Sequence, residues 1–414
     1  MLKNYIIIFW KVLQRHPFFT FVSLFGISIT LMVLIVLSAV FDSTFGGYGP
    51  EKENNRLLYV FGGTFSLQGE KNHWTMRGSS SPYFYDQTVR KLKLPEMVSV
   101  LSLPQTVICY NEDRKIEAMR KYTDGNFWKV FDFEFLDGSP YGESEVERSD
   151  RVAVIDQKTS LDYFGTEHSV GQTIQVEGKV YRVCGVVEET SISRTFPFGN
   201  IFVPWTTSGQ DLKAKVCHGT YLAVIKARSP GDRQAIQAEY QGLVGRFPFP
   251  DPYQFNTITS YADTYLEIFT RNLLDQAGEN SRIGLFIVLI TILVLLFMSF
   301  PAMNLVNINI TRILERASEI GIRRSYGASI RTLLGQFLFE NILITLIGGT
   351  IGFCLALLAV HLINRSAIFP YYILEVNVMV VLYALALSIL FGVLSGIIPA
   401  YRMARMNIVN ALKS

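Results

Sequence analysis

The residue types that usually carry enzyme chemistry are scattered along this sequence. The five histidines occur singly, without the spacing of a metal site. The chain has no G-x-x-x-x-G-K-[ST], H-E-x-x-H or G-x-S-x-G motif and no EF-hand loop, and the pair Gly178-Lys179 is followed by Val180. We therefore expect no catalytic residues, no metal site and no cofactor in this chain. A protein without catalytic activity of its own fits that pattern.

The charged residues are most regularly arranged in segment 312–331, which carries five arginines between two long uncharged stretches. Its apolar residues recur at helical spacing: Ile313, Ala317 and Ile320. Glu319 and Arg323 can pair four residues apart on the polar side. This pattern predicts a short amphipathic helix at a membrane surface.

A turn follows that helix. Gly327 can supply a positive φ angle, and Ser329 is a suitable N-cap for the next helix. We therefore predict two helices that meet at a bend where the chain re-enters the membrane.

Hydropathy divides the 414 residues unevenly. The composition is 49% hydrophobic and 18% charged, and four stretches are nearly free of charge. A helix rises about 1.5 Å per residue, so each stretch can cross a hydrocarbon core of roughly 30 Å. The predicted class is an α-helical membrane protein with four transmembrane helices, at residues 17–41, 281–311, 332–362 and 376–401. The first apolar run is too long for a cleaved signal peptide.

Basic residues at three predicted membrane edges set the orientation. They lie in the interfacial helix 1–16, in segment 312–331 and in the tail 402–414. Placing these edges inside puts both termini in the cytoplasm, with a large domain (42–280) and a short loop (363–375) outside. The reverse orientation would move arginines across the bilayer at a cost of roughly 2.5 to 3.5 kcal/mol each. The basic residues that account for the net charge of +3 cluster at these edges. We therefore expect lipid contacts and no nucleic-acid partner.

The large domain alternates strand and helix patterns. Val152 to Ile155 reads as a strand, residues 158–164 as a helix, and 173–176 with 181–187 as a hairpin across the turn Gly178-Lys179. Residues 261–277 are amphipathic, which predicts a stalk helix continuous with the second span. Together these patterns predict a mixed α/β domain between helices 1 and 2.

The cysteines of this domain leave two alternatives open. The chain contains four, without C-x-x-C spacing: Cys109, Cys184, Cys217 and Cys354. The first three fall in the predicted extracytoplasmic domain, so one disulfide can form and at least one thiol would remain unpaired. The sequence does not decide between this and three free thiols.

Small residues recur four apart on two of the predicted spans. Gly348 and Gly352 share one face of the third helix, and Gly392 and Gly396 share a face of the fourth. Such pairs let helix backbones approach closely. We expect them to serve packing within one copy first and a seam between two copies second.

Segment 312–331 also carries a family signature. The pattern E-I-G-I-R-R-x-x-G-A-S over 319–329, followed by Gly348-Gly349-Thr350-Ile351-Gly352, resembles the FtsX-like permeases, including those of MacB and Lol type. The resemblance implies that this segment contacts a separate ATP-binding-cassette (ABC) ATPase. The residues that it assigns to coupling are Glu315, Arg316, Glu319, Ile320, Gly321, Arg323, Arg324 and Gly327. The alternative is an ordinary positive-inside loop with a solvated face.

The predicted outer domain is similar to the periplasmic core domain of MacB-type permeases. The similarity follows residues 152–189 nearly residue by residue and extends to 122–138 and 198–205. Residues 48–80 and 206–260 match least well.

The resemblance implies a permease subunit in the bacterial cytoplasmic (inner) membrane. It would transmit ATP-driven motion to its outer domain to export or extract a peptide, drug, lipid or lipoprotein. ATP and Mg²⁺ would bind the partner ATPase. Further partners would be a second permease copy, as a homodimer or related heterodimer, and a periplasmic adaptor or outer-membrane protein. Two alternatives remain: an FtsX-like signal relay that controls a cell-wall hydrolase, and a membrane-anchored receptor or scaffold without an ATPase.

Overall fold

The computed structural model describes residues 17–47, 49–67, 75–111, 114–274, 281–315, 322, 326, 329–366, 374 and 376–404. Within them, four helices are long and apolar enough to cross a membrane, with candidate spans at Thr20–Phe45, Ile283–Phe300, Leu338–Arg365 and Val378–Ser395. The predicted fold class, four spanning helices with a large α/β domain after the first, is confirmed. The chain divides into a helical unit and an α/β domain, Ser43–Gly284.

The helical unit contains the long helices. They are α1 (Pro17–Phe45), whose last residues enter the α/β domain, and α8 (Ile283–Glu315), α9 (Ile330–Arg365) and α10 (Val378–Ala404). Its small apolar core joins α1 to α9 through Ile27, Leu31 and Ile344. Most of the described apolar side chains on α8 are exposed, as expected of a helix that faces lipid or another protein.

The α/β domain contains six short helices and thirteen strands among the described residues. The helices are α2 (Pro82–Gln87), α3 (Phe127–Val130), α4 (Glu143–Glu147), α5 (Gln157–Phe164), α6 (Arg233–Val244) and α7 (Tyr265–Leu274). The first strands are β1 (Leu57–Val60), β2 (Gly63–Ser66), β3 (Thr75–Gly78), β4 (Met97–Ser102), β5 (Gln105–Asn111), β6 (Arg114–Thr123) and β7 (Phe135–Gly138). The remaining strands are β8 (Val152–Asp156), β9 (Thr173–Val176), β10 (Lys179–Val187), β11 (Ile201–Pro204), β12 (Tyr221–Lys226) and β13 (Thr257–Thr259).

Ten strands form one sheet, in the order β1-β12-β4-β6-β11-β8-β10-β9-β5 with β7 paired to β10. Most pairs are antiparallel, whereas β10 with β8 and β11 with β6 are parallel. Because β5 also pairs with β6, the strands from β6 to β5 close into a ring. The central strands are buried along their whole length, as β8 and β11 show, which accounts for their continuous apolar runs. A separate three-stranded sheet has the order β13-β2-β3.

The predicted hairpin between β9 and β10 is present, but its turn lies one residue earlier than predicted, at Glu177-Gly178, because Lys179 already pairs with Val176. Glu177 and Gly178 adopt φ angles of 48° and 78°, which suit a tight two-residue turn. The predicted continuous stalk helix is wrong. Helix α7 ends at Leu274, and Arg282, with φ 53°, is not helical. A left-handed residue interrupts the helical hydrogen-bond pattern, so α7 and α8 are separate helices.

No disulfide joins the cysteines in the described part of the chain, where all four are free thiols. Cys109 and Cys217 are buried, Cys184 is half-buried and Cys354 is exposed. Burial raises the pKa of Cys109, Cys184 and Cys217 to about 11. These thiols therefore stay protonated at neutral pH and are poor nucleophiles.

Two buried carboxyl groups organise the turns beside the central strands. Asp124 accepts hydrogen bonds from the Ser99 hydroxyl at 2.7 Å and the Val100 amide at 2.8 Å. Asp156 caps α5 by accepting from the Thr159 amide at 2.8 Å. Burial, the largest influence, raises the pKa of each carboxyl to about 6.

These raised pKa values predict that the α/β domain is more stable at pH 5 than at pH 7. The unfolded pKa of an aspartate is about 3.9, so the folded state binds these protons more tightly. Lowering the pH from 7 to 5 should therefore add about 1 kcal/mol per group to the free energy of unfolding. Guanidinium unfolding of the full chain, followed by tryptophan fluorescence at both pH values, measures this gain. Asp156→Asn should remove the part of this gain that Asp156 contributes. A domain that is less stable at pH 5 than at pH 7 contradicts the prediction.

Candidate coupling site

The chain that leaves helix α1 is held by a cluster of side chains in the α/β domain, whose central residues are buried. We call it the junction cluster, and it consists of Phe45, Gly46, Glu51, Tyr59, Lys121, Arg194, Phe196, Tyr265 and Phe269. Its members come from four separate parts of the sequence, and all lie within the α/β domain. The cluster therefore connects the end of the first span to the domain that follows it.

A buried ion pair lies at the centre of the junction cluster. Arg194 Nη1 lies 2.8 Å from Glu51 Oε2, and each residue is 4% exposed. The same nitrogen donates to the carbonyl oxygen of Gly46, the residue after α1, at 2.9 Å. Tyr59 donates its hydroxyl hydrogen to Glu51 Oε1 at 2.6 Å. One guanidinium thus fixes both the chain leaving α1 and the carboxylate beside it.

A fully buried lysine supports the segment that carries Arg194. Lys121 Nζ donates to the carbonyl oxygens of Thr195, at 2.8 Å, and Phe196. Burial lowers the pKa of Lys121 well below its ordinary value, and burial also raises the pKa of Glu51, opposed by Tyr59 and Arg194. Buried charged groups are retained only with close partners, and here each has one.

Aromatic rings tie helix α7 to the same place. The ring centroid of Phe45, the last residue of α1, lies 5.7 Å from that of Tyr265 and 5.2 Å from that of Phe269. Tyr265 also donates its hydroxyl hydrogen to the carbonyl oxygen of Ser193 at 3.0 Å. The chain after the first span and the helix that precedes the second span therefore share one set of contacts.

Of the eight coupling residues expected from the sequence, the structure describes only the backbone of one, and seven lie outside the described residues. Glu315 ends helix α8, and its side chain is not described. The other seven lie outside the described residues: Arg316, Glu319, Ile320, Gly321, Arg323, Arg324 and Gly327. Ser329 is the N-cap of α9 as predicted, since its hydroxyl accepts from the Thr332 amide at 3.2 Å.

Two of the predicted packing glycines lie against the first span. A methyl group built at Gly352 would lie 2.7 Å from the carbonyl oxygen of Ser28, and one at Gly348 would lie 2.9 Å from Ile27. Ser28 donates its hydroxyl hydrogen to the Gly348 carbonyl at 2.9 Å. Close backbone approach here needs residues without a side chain.

On the fourth helix, Gly392 also allows a close approach, here to α9. A methyl group at Gly392 would lie 2.6 Å from Thr345 Oγ1 on α9. Gly396 lies in α10, and its surroundings are outside what the structure describes. The three described contacts are all within one copy of the chain.

Gly352→Ala should destabilise the helical unit. The added methyl group collides with backbone on α1, and overpacking of this kind costs about 1 to 3 kcal/mol. Gly335→Ala, on the same helix with open space around it, is the matched control and should be neutral or slightly stabilising. The midpoint of heat-induced aggregation in detergent measures the difference. Equal midpoints for the two variants contradict the close approach.

In the part of the chain that the structure describes, no group of three or more His, Cys, Asp or Glu residues is arranged to hold a metal ion. In the junction cluster, Glu51, Tyr59, Lys121 and Arg194 are buried, and each makes a hydrogen bond.

Comparison with known proteins assigns both parts of the chain. Residues 20–243 match the MacB-like periplasmic core domain, and residues 283–408 match the FtsX-like permease C-terminal domain. The macrolide export ATP-binding/permease protein MacB of Escherichia coli (strain K12) is 25% identical over 335 residues, which cover 79% of this chain and 48% of that protein. MacB of Shigella flexneri gives the same figures. The chain thus spans about half the length of the curated relatives it matches.

Among solved structures, the periplasmic region of MacB from Actinobacillus actinomycetemcomitans covers 54% of this chain and 94% of its own, with a TM-score of 0.36 and 13% identity. The family match rests on the two domain assignments, of which the first alone spans more than half of the chain. The chain is multi-pass, with four apolar helices. It belongs to the FtsX/MacB-type family of ABC transporter permeases.

Proposed function

We propose that this chain is the permease subunit of an ABC transport system in the bacterial inner membrane. It transmits ATP-driven motion of a separate ATPase to the α/β domain, which handles a peptide, drug, lipid or lipoprotein outside the membrane. The observation that carries the proposal is the match of residues 20–243 to a MacB-like core and of residues 283–408 to an FtsX-like permease domain. The residues proposed to contact the ATPase are those of segment 312–331 named above.

The junction cluster gives this proposal a mechanical path. Its contacts join the chain leaving α1 to α7, so displacement of the chain that leaves the first span would move the Glu51–Arg194 pair. A packed, hydrogen-bonded cluster transmits displacement better than a mobile linker, because its atoms cannot move independently. We propose that two permease copies and two ATPases form the working unit, with a periplasmic adaptor or outer-membrane protein as a further partner.

Co-purification and ATP hydrolysis test this function. We expect the permease to retain an ABC ATPase through purification, and we expect the hydrolysis rate of the complex in nanodiscs to rise when the transported substrate is added. Failure to retain any ATPase favours a receptor or scaffold. Stimulation only by a cell-wall hydrolase favours the FtsX-like signal relay.

The proposed orientation places residues 42–280 outside and both termini in the cytoplasm. A cysteine introduced at Ser144, on the described surface helix α4, should react with a membrane-impermeant thiol reagent in cells whose outer membrane is permeabilised. A cysteine at Ala317 should react only after the inner membrane is opened. The reverse pattern overturns the orientation. A variant with the four natural cysteines replaced by serine removes background labelling.

A further inference from the structure

A cleft in the α/β domain lies between the three-stranded sheet and helix α7. Its volume is about 340 Å³, which falls in the range of roughly 300 to 1,000 Å³ typical of small-molecule pockets. Gly62, Gly63 and Gly78 line it with backbone only. We call this feature the α7 cleft.

Strand register places a row of polar side chains on one wall of the α7 cleft. Thr259 of β13 pairs with Thr64 of β2, and Thr64 pairs with Arg77 of β3. All three line the cleft. Their strand neighbours point the other way, and Phe65 is 1% exposed in the core. The row therefore offers two hydroxyl groups and one guanidinium, side by side.

The rest of the α7 cleft is largely apolar. Phe61, which is 39% exposed, Tyr261 and Ile268 of α7 line it. Arg77 Nη2 donates to Asn272 Oδ1 at 2.6 Å, which joins the polar row to helix α7. An apolar surface thus lies beside a positive group, the arrangement that suits an amphipathic ligand.

The charges of the α7 cleft favour an anion. Arg271 Nε lies 2.8 Å from Asp263 Oδ2, its Nη2 lies 3.2 Å from Oδ1, and its guanidinium stacks 3.7 Å above Tyr261. This buried pair is neutral as a whole. Arg77, by contrast, forms no ion pair within the described residues. Counted over the described residues that line it, the α7 cleft carries one net positive charge, on the polar row.

We infer that the α7 cleft binds an amphipathic anion. Its oxyanion head, a carboxylate or a phosphate ester, contacts Arg77, Thr64 and Thr259, because a guanidinium and neighbouring hydroxyls donate charge-assisted hydrogen bonds to such groups. Its apolar body packs against Phe61, Tyr261 and Ile268. This inference goes beyond the proposed transport function, and binding can be measured without an ATPase, so the two can fail separately.

Hydrogen exchange of the full chain in phosphatidylcholine nanodiscs tests the binding. The probes are octanoate and octyl phosphate as amphipathic anions, octanamide as the neutral counterpart and acetate as the head group alone. We expect at least one anion to slow amide exchange within 61–66 and 257–274, with octanamide and acetate ineffective at the same concentration. Protection by octanoate alone identifies a carboxylate, and protection by octyl phosphate alone a phosphate ester. Equal protection by octanamide, or none by either anion, overturns the inference.

Variants localise the charge that binds the anion. Arg77→Gln should raise the concentration needed for half-maximal protection about tenfold, whereas Arg77→Lys should keep part of the affinity. Arg228→Gln makes the same change on an exposed arginine outside the α7 cleft and should have no effect. If Arg77→Gln changes amide exchange in the absence of ligand, Thr64→Val is the second test of the polar row. It keeps the side-chain shape and removes one hydrogen-bond donor. Unchanged binding in both Arg77→Gln and Thr64→Val contradicts the assignment.

Discussion

Arg194→Met should destabilise the α/β domain by about 3 to 5 kcal/mol, because it leaves the Glu51 carboxylate buried without its cation. The variant also removes the hydrogen bond to the Gly46 carbonyl, so the chain leaving α1 loses its polar anchor. We expect a large drop in the free energy of unfolding and loss of substrate-stimulated ATP hydrolysis. Guanidinium unfolding and the hydrolysis rate of the complex measure the two effects.

A double variant separates the charge effect from general damage. Glu51→Gln together with Arg194→Met removes both charges, and the introduced amide oxygen would still accept from Tyr59, so stability should recover in part. Arg148→Met is the matched control, since its ion pairs with Glu145 and Asp150 are exposed and worth little. If Arg194→Met costs no more than Arg148→Met, the ion pair does not hold the junction cluster together.

Local sequence patterns predicted local structure well. The apolar runs gave the four spans, Ser329 was recognised as an N-cap, and the turn at Gly178 formed the expected hairpin. Each of these depends on residues that are neighbours in sequence, where spacing alone specifies geometry. The continuous stalk failed at Arg282 because an amphipathic pattern predicts helical faces and not a left-handed residue beyond them.

The junction cluster was not predictable in this way. Glu51 and Arg194 lie 143 positions apart, and neither stands in a recognisable motif. Their contact forms only in the folded domain, and no local periodicity in the sequence predicts it. Gly46-Gly47, directly after an apolar run, was the available signal that the chain changes direction there. The row Thr259, Thr64 and Arg77 likewise exists only through strand register.

Segment 312–331 can be tested as a docking surface by a change that leaves its positive charge in place. A topology signal needs basic residues and little else, so it should tolerate changes at Ile320. A docking helix instead buries its apolar face in a groove of the ATPase. Loss of a buried isoleucine commonly costs about 2 to 5 kcal/mol, and introducing a charge costs more. We therefore expect Ile320→Asp to weaken ATPase binding by at least about 30-fold and to abolish co-purification.

The control uses the same substitution on the same segment. Ile322 is 50% exposed and falls off the face that Ile313, Ala317 and Ile320 share, so Ile322→Asp adds the same charge without burying it in the groove. Ile322→Asp should retain the ATPase, and both variants should reach normal membrane levels. Pull-down of the ATPase beside immunoblots of the membrane fraction gives the two quantities. Normal ATPase recovery and normal stimulated hydrolysis with Ile320→Asp would return this segment to the role of a topology signal.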